Sequence, residues 1–207
     1  MSLAAGTYAL DPAHTVIGFV AKHAMVTKVR GNFADFEGTI TVAENIAESA
    51  AKATIRTASI STGNDDRDAH VKNEDFFAVE QYPEITFKAT NLNVDENGNG
   101  TVTGDLTIKD TTKSVDLDVE DVATAEDPFG NTRLGFEATT KINRKDFGID
   151  FNGAVAKLGG EPRRPSFSFP DGRCVPAFSG RLEDPVDDHR VRIGVPISKH
   201  RALTFPQ

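Results

Sequence analysis

Residues 62–77, TGNDDRDAHVKNEDFF, gather five acidic side chains, one histidine and two adjacent phenylalanines. Two chemistries are open to such a set. Asp66 and His70 stand four apart, so on a helix they share a face. Asp65 and Asp68 could then complete an oxygen-rich metal site, as a metal-dependent hydrolase would use. The alternative involves no reaction. Asn64 or Asp65 caps a helix, and the acids of the first turn suit the positive end of its dipole. Arg67 pairs with a carboxylate, and Phe76 and Phe77 anchor the helix over the end of the fold. The second reading is the stronger, and residues 62–77 are expected to form a lid rather than a reaction centre. No other segment offers a nucleophile elbow, a phosphate-binding glycine loop or a dinucleotide fingerprint. No catalytic residue, metal ligand or cofactor is expected.

The remaining polar candidates are fewer. His14 follows DPA in a turn and is expected to satisfy local backbone groups. His23 falls on the inward face of a strand by parity, either as a neutral core histidine or against the polar head of a ligand. Lys28 and Arg30 in MVTKVRGNF, and Arg144 in NRKDFG, could meet an anionic head group at a rim. They could equally be exposed basic turns, with Arg144 paired to Asp146.

The elements that would position these groups are strands. TVIGFVAKH, DFEGTITV, EITFKAT, GTVTGDLTI, KSVDLDVE and RLGFEATTKIN alternate apolar and polar residues with a period of two, as strands with one dry face do. DENGNG at 95–100 and EDPFGN at 126–131 mark turns between them. A helix is expected near 65–75. Seven or eight antiparallel strands with so little helix imply a sandwich or barrel. A barrel of about eight strands is either filled by its side chains or holds one small ligand. The inward set Phe19, Phe33, Phe36, Ile40, Phe87, Leu106, Phe136, Ile142, Phe147 and Phe151 suits either case.

The chain has 207 residues and a formal net charge of −8. That charge gives no electrostatic reason to bind nucleic acid. The single cysteine, Cys174, excludes an internal disulfide framework. No apolar run approaches a membrane span, so no stable membrane insertion is expected. MSLAAGTYALDPAH has no signal-peptide pattern, so a cytoplasmic location is expected.

YALDPAHTVIGFVAKHAMVTKVRGNFADFEGTI, TGNDDRDAHVKNEDFFAVEQYPEITFKAT, GDLTIKDTTKSVDLDVE and INRKDFGIDFN strongly resemble the YceI-like family, over about residues 6–153. The resemblance implies an all-β, eight-stranded antiparallel lipocalin-like barrel with one short helix. It also implies a non-enzymatic role: storage or transport of a polyisoprenoid, such as an isoprenoid quinone or its precursor, or of a similar long-chain amphiphile inside the barrel. The inward set above, with His23, Phe76 and Phe77, would line the site. Lys28, Arg30 and Arg144 would meet the head group. A stress-response or interaction module with a filled core is the rival reading, and a homodimer is left open.

The tail departs from that pattern. Seven of the ten prolines lie in residues 161–207. Residues 1–158 are read as the barrel and 159–207 as an atypical Pro/Arg-rich tail, disordered or encoded in a shifted reading frame. Alternatively RVRIGVPI, which alternates Val191, Ile193, Val195 and Ile197, supplies the closing strand. Pro196 then has to fall at an edge or a strand end.

Overall fold

The computed structural model describes residues 3–23, 27–151 and 190–198, with side chains placed throughout except at Lys22, His23, Thr27 and 190–198. The other tail residues, 152–189 and 199–207, lie outside the described residues. All that is described belongs to one compact unit.

Eleven strand segments form one antiparallel sheet. They are β1 (Gly6–Ala9), β2 (Val16–His23), β3 (Thr27–Phe33), β4 (Phe36–Val42), β5 (Ala50–Arg56), β6 (Ile60–Ser61), β7 (Glu84–Val94), β8 (Gly100–Ile108), β9 (Thr111–Glu126), β10 (Thr132–Lys141) and β11 (Arg190–Ser198). Between β6 and β7 lies the one described α-helix, α1 (Asp65–Lys72).

The segments combine into eight staves. β1 pairs with β4 while β2 pairs with β3, so β1 and β2 run on as one interrupted strand, and so do β3 and β4. β5 pairs with β4 and β6 with β3, so these two form a third interrupted stave. The three interruptions sit side by side and have local causes. At residues 10–15 the Asp11 carbonyl takes the N–H groups of His14 and Thr15, and Pro12 has no donor to offer. At 34–35 the chain bonds sideways, through Ala34 N–H to Ser59 and Arg56 N–H to Asp35. At Thr57–Ser59 it makes a 3₁₀ turn, with the buried Thr57 hydroxyl donating to the Tyr82 carbonyl at 2.8 Å. Strands β7 to β10 complete the wall as hairpin neighbours. The described residues thus form the expected all-β, eight-stranded antiparallel barrel with one short helix.

β11 closes it. Along one edge it pairs with β10 from Arg190↔Lys141 to Ser198↔Arg133. Along the other it pairs with β2 from Arg190↔Val20 to Gly194↔Val16, and then with β1 at Ser198↔Ala9. Pro196 falls between Gly194 and Ser198, where the neighbouring stave is interrupted. A residue without an N–H is tolerated at such a gap in the ladder. The alternating residues Val191, Ile193, Val195 and Ile197 stand in register with Thr140, Ala138, Phe136 and Leu134.

Two bulges keep the apolar residues pointing inward. Thr90 is an extra residue in β7, since Ala89 pairs with Gly104 and Asn91 with Thr103. In β9 an extra residue sits near Asp121, whose φ is +56°. Each bulge shifts the pattern by one, so Leu92 and Val94, and likewise Val122, rejoin the interior.

The core divides in two. One cluster, with Tyr8, Val42, Val102, Val119, Val122, Leu134 and Ala138, lies toward the β7–β8 and β9–β10 loops. The other, with Ile17, Phe33, Phe36, Ile55, Ile60, Ile85, Ile108, Phe147 and Ile149, lies toward α1.

Candidate functional site

Between and through these clusters runs a cavity of about 340 Å³, within the size range of small-molecule sites. Its wall is almost wholly carbon. Leu3, Ile46, Leu92 and Val94 line it at one end, and Val71, Phe76, Phe77 and Ile149 at the other. On β10 alone the lining runs from Leu134 to Thr140, six residue steps or about 20 Å of strand. The space is therefore drawn out along the barrel rather than rounded.

Most of the aromatic and aliphatic residues anticipated from sequence meet here. Phe19, Phe33, Ile40, Phe87, Leu106, Phe136 and Ile142 all line the lumen, together with Phe76 and Phe77. Phe36 and Phe147 do not: they are fully packed core side chains, 6% and 2% exposed. Phe151 stands outside the lumen, its ring 5.3 Å from Phe76 and 5.1 Å from His70. His23 ends β2, and its side chain lies outside the described residues. Lys28 and Arg30 alternate with Val29 and Gly31 on β3 and are exposed, away from the lumen.

Residues 62–77 build the end over the lumen. Asn64 caps α1, its side-chain oxygen accepting the Arg67 N–H at 2.9 Å. Asp68 turns back to Thr62 and accepts from its N–H at 2.8 Å and its hydroxyl at 2.5 Å. The Thr62 hydroxyl bond is the main reason the Asp68 carboxyl sits below its ordinary pKa. Arg67 donates to the Thr62 hydroxyl at 2.7 Å and carbonyl at 2.9 Å. His70 faces Asp75 at 3.3 Å and stands edge-on to Phe76 and Phe151. The acids therefore point to different partners. Among the described residues no three His, Cys, Asp or Glu side chains converge as a metal site.

Arg144 is one of two cations among the described residues at the lumen margin, the exposed Lys52 on β5 being the other. The Arg144 Nη1 donates to the carbonyls of Ile149 at 2.9 Å and Phe151 at 2.7 Å. This ties the segment after β10 back toward the helix end. At the opposite end Tyr8 is fully buried, its hydroxyl donating to the Ala4 carbonyl at 2.7 Å, and burial raises its pKa.

Several lining residues carry no separate signal in the sequence. Leu3, Ile46 and Val71 lie outside regular strands, where period-two reasoning does not reach. Leu92, Val94 and Val122 follow bulges, and strict alternation would place Asn91 and Asn93 inside instead.

Known proteins share this sequence and architecture. The chain is 40% identical over 149 residues to the UPF0312 protein plu2095 of Photorhabdus laumondii, covering 70% of this chain and 77% of that protein. It is 37% identical over 151 residues to Protein YceI of Escherichia coli, covering 72% and 78%. Among solved structures, the Campylobacter jejuni YCEI protein superposes with a TM-score of 0.65 at 30% identity, over 93% of this chain and 97% of that one. A polyisoprenoid binding domain from Saccharophagus degradans shares the fold, with a TM-score of 0.58 at 13% identity over 96% and 100%. The model of the YceI-like domain matches residues 8–162, and with relatives this similar the chain belongs to the YceI-like family.

Proposed function

We propose that the barrel binds a polyisoprenoid, or a similar long-chain amphiphile, with its chain in the lumen, and stores or carries it without chemical change. The observation that carries this reading is the carbon-lined cavity extended along the barrel axis. A fused-ring molecule needs a broad chamber, whereas an acyclic chain fits a drawn-out one. The Saccharophagus degradans domain of the same fold is described as polyisoprenoid binding, which favours the same guest class. An isoprenoid quinone or its precursor belongs to that class.

The energetics suffice. Each methylene moved from water into such a wall gains about 0.8 kcal/mol. Ordering the chain and restricting its motion cost about 4–15 kcal/mol. A few isoprene units thus reach micromolar affinity, about −8 kcal/mol. Arg144, at the margin of the lumen near α1, is a cation placed to meet a polar head at that end. Lys28 and Arg30 would reach a head group only from the outer face of β3.

Organic extraction of the purified protein followed by mass spectrometry tests the proposal. Recovery of a stoichiometric long-chain isoprenoid is the expected result. Recovery of no apolar chain, together with no uptake of added isoprenoid alcohols, would overturn it.

A further inference from the structure

Two of the aromatic rings in the lumen lean on glycines. A Cβ built on Gly31 would lie 2.4 Å from Phe19 Cζ, and one built on Gly104 would lie 2.4 Å from Phe87 Cζ. Carbon atoms in contact keep about 3.5–4.0 Å, so each ring tip occupies the space a larger neighbour would need. Gly31 is the direct cross-strand partner of Phe19. Gly104 pairs with Ala89, two residues along β7 from Phe87. All four residues face inward, and both rings line the cavity. Each ring is therefore laid sideways onto the adjacent strand instead of standing out toward the barrel axis.

We propose that Gly31 and Gly104 determine which chains the lumen accepts, by giving Phe19 and Phe87 a place to lie along the wall. A ring tip denied that place has one direction open to it, into the lumen, because the sheet closes the other side. The two Phe–Gly pairs set the free bore at two places on the wall, and with it the length and branching of the chain that passes. This rests on the reading of the barrel as a container for an acyclic chain, and it names the positions that give the container its selectivity.

The test uses the full-length protein and an isoprenoid alcohol ladder: geraniol, farnesol and geranylgeraniol. Gly104→Ala should leave geraniol binding within about twofold and weaken geranylgeraniol more than about tenfold, because each methylene kept out of the lumen costs about fourfold. The added Cβ also comes 2.7 Å from the Lys88 carbonyl oxygen, so this variant carries a stability loss of its own. The double variant Gly104→Ala/Phe87→Ala separates the two effects: it should regain geranylgeraniol binding and keep the stability loss. Phe87→Ala alone removes a lining ring and serves as the reference for the double variant: the two should bind geranylgeraniol alike within about twofold, because without the ring the added Cβ has nothing to push into the lumen.

If the single alanine variant at position 104 folds with the wild-type ladder, or the double variant regains nothing, the glycine assignment falls while the container stands. If Gly104→Ala does not fold, the double variant carries the test: geranylgeraniol binding more than about tenfold weaker than that of Phe87→Ala counts against the assignment in the same way. A wild type that binds no member of the ladder would instead remove the container reading itself.

Discussion

Arg133 on β10 donates from Nη1 to Asp11 at 3.3 Å, joining side chains 122 residues apart. The same guanidinium holds Asp127 through Nε at 2.9 Å. Arg133 pairs through its backbone with Ser198, and Ser198 pairs in turn with Ala9. Its side chain therefore spans the closing strand at the point where the barrel wall is thinnest in ladder bonds. Removing it should loosen the seam. Arg133→Ala is expected to cost about 1–3 kcal/mol, lowering Tm by about 2–12 °C. The control is Arg56, which pairs with Glu37 and Glu84 on a half-exposed outer face. Arg56→Ala should cost less than about 1 kcal/mol. Equal losses in paired thermal melts would deny the seam any special weight.

Asp127 gives this region an acid limit. Its pKa is lowered to about 2, first by the backbone N–H of Asn131, then by the Asn131 side chain, the Phe129 N–H and Arg133. A folded-state pKa below the unfolded one adds stability above the unfolded value, and that stability disappears as pH falls through the folded value. The contribution is complete above the ordinary carboxylate range near 4 and is lost between about pH 4 and about pH 2. Asp11, held low chiefly by its bond to His14, adds in the same direction. Urea titrations of wild type and Asp127→Asn should differ clearly at neutral pH and converge near pH 2. A gap that stays constant down to pH 2 would refute the linkage.

The hairpin loops Asp95–Asn99 and Asp127–Asn131 are one device used twice. In both, the leading aspartate accepts from the N–H groups two and four residues on, and the final asparagine carbonyl accepts the aspartate N–H. Both place glycine at positive φ, +82° at Gly98 and +80° at Gly130. Their surroundings differ. A Cβ at Gly130 meets nothing within 4 Å, whereas one at Gly98 would lie 2.4 Å from the Val122 carbonyl oxygen. Gly130→Ala should therefore cost about 1 kcal/mol from backbone strain alone. Gly98→Ala should cost at least about twice that, because the β9 bulge has to move. Denaturant midpoints of the two variants decide this, and reversed ranks would be incompatible with the packing described.

The D-x-x-G-N pattern was open to sequence reasoning because the turn is local: aspartate, glycine and asparagine carry their own geometry. The same holds for Asn64 as a cap and for the inward alternation of β8 and β10. Where the chain adds a residue to a strand, alternation misleads, and Leu92, Val94 and Val122 were hidden behind bulges for that reason. Residue type alone did not separate Phe36 and Phe147, which fill the core, from Phe33 and Phe136, which border the lumen. That distinction depends on what stands opposite, and so does the meeting of Arg133 with Asp11. The eight staves expected from sequence divide into eleven strand segments in the structure because the chain around Asp11, Asp35 and Thr57 breaks three of them at one level.

At the lid, Phe76 and Asp66 separate containment from chemistry. Phe76 lines the lumen and packs against Phe151 and His70. Asp66 is exposed on α1. Phe76→Ala should speed release of bound geranylgeraniol by about tenfold, since truncating a half-buried aromatic that lines the lumen acts mostly through dissociation. Asp66→Ala should leave release unchanged within about twofold. Stopped-flow displacement measures both, and equal acceleration by the two variants would contradict a lid sealed by aromatic packing.

The placement of β11 governs when the vessel becomes a vessel. Of the described strands it is the last to leave the ribosome, yet it stands between β10 and β2. A nascent chain lacking it is a trough with two uncovered ladders, the kind of edge that recruits stray strands. Translation through residue 198 is what turns that trough into an enclosure. Until then the flank of the barrel is an open port as wide as a strand, and afterwards a guest of the proposed kind has to enter by the ends.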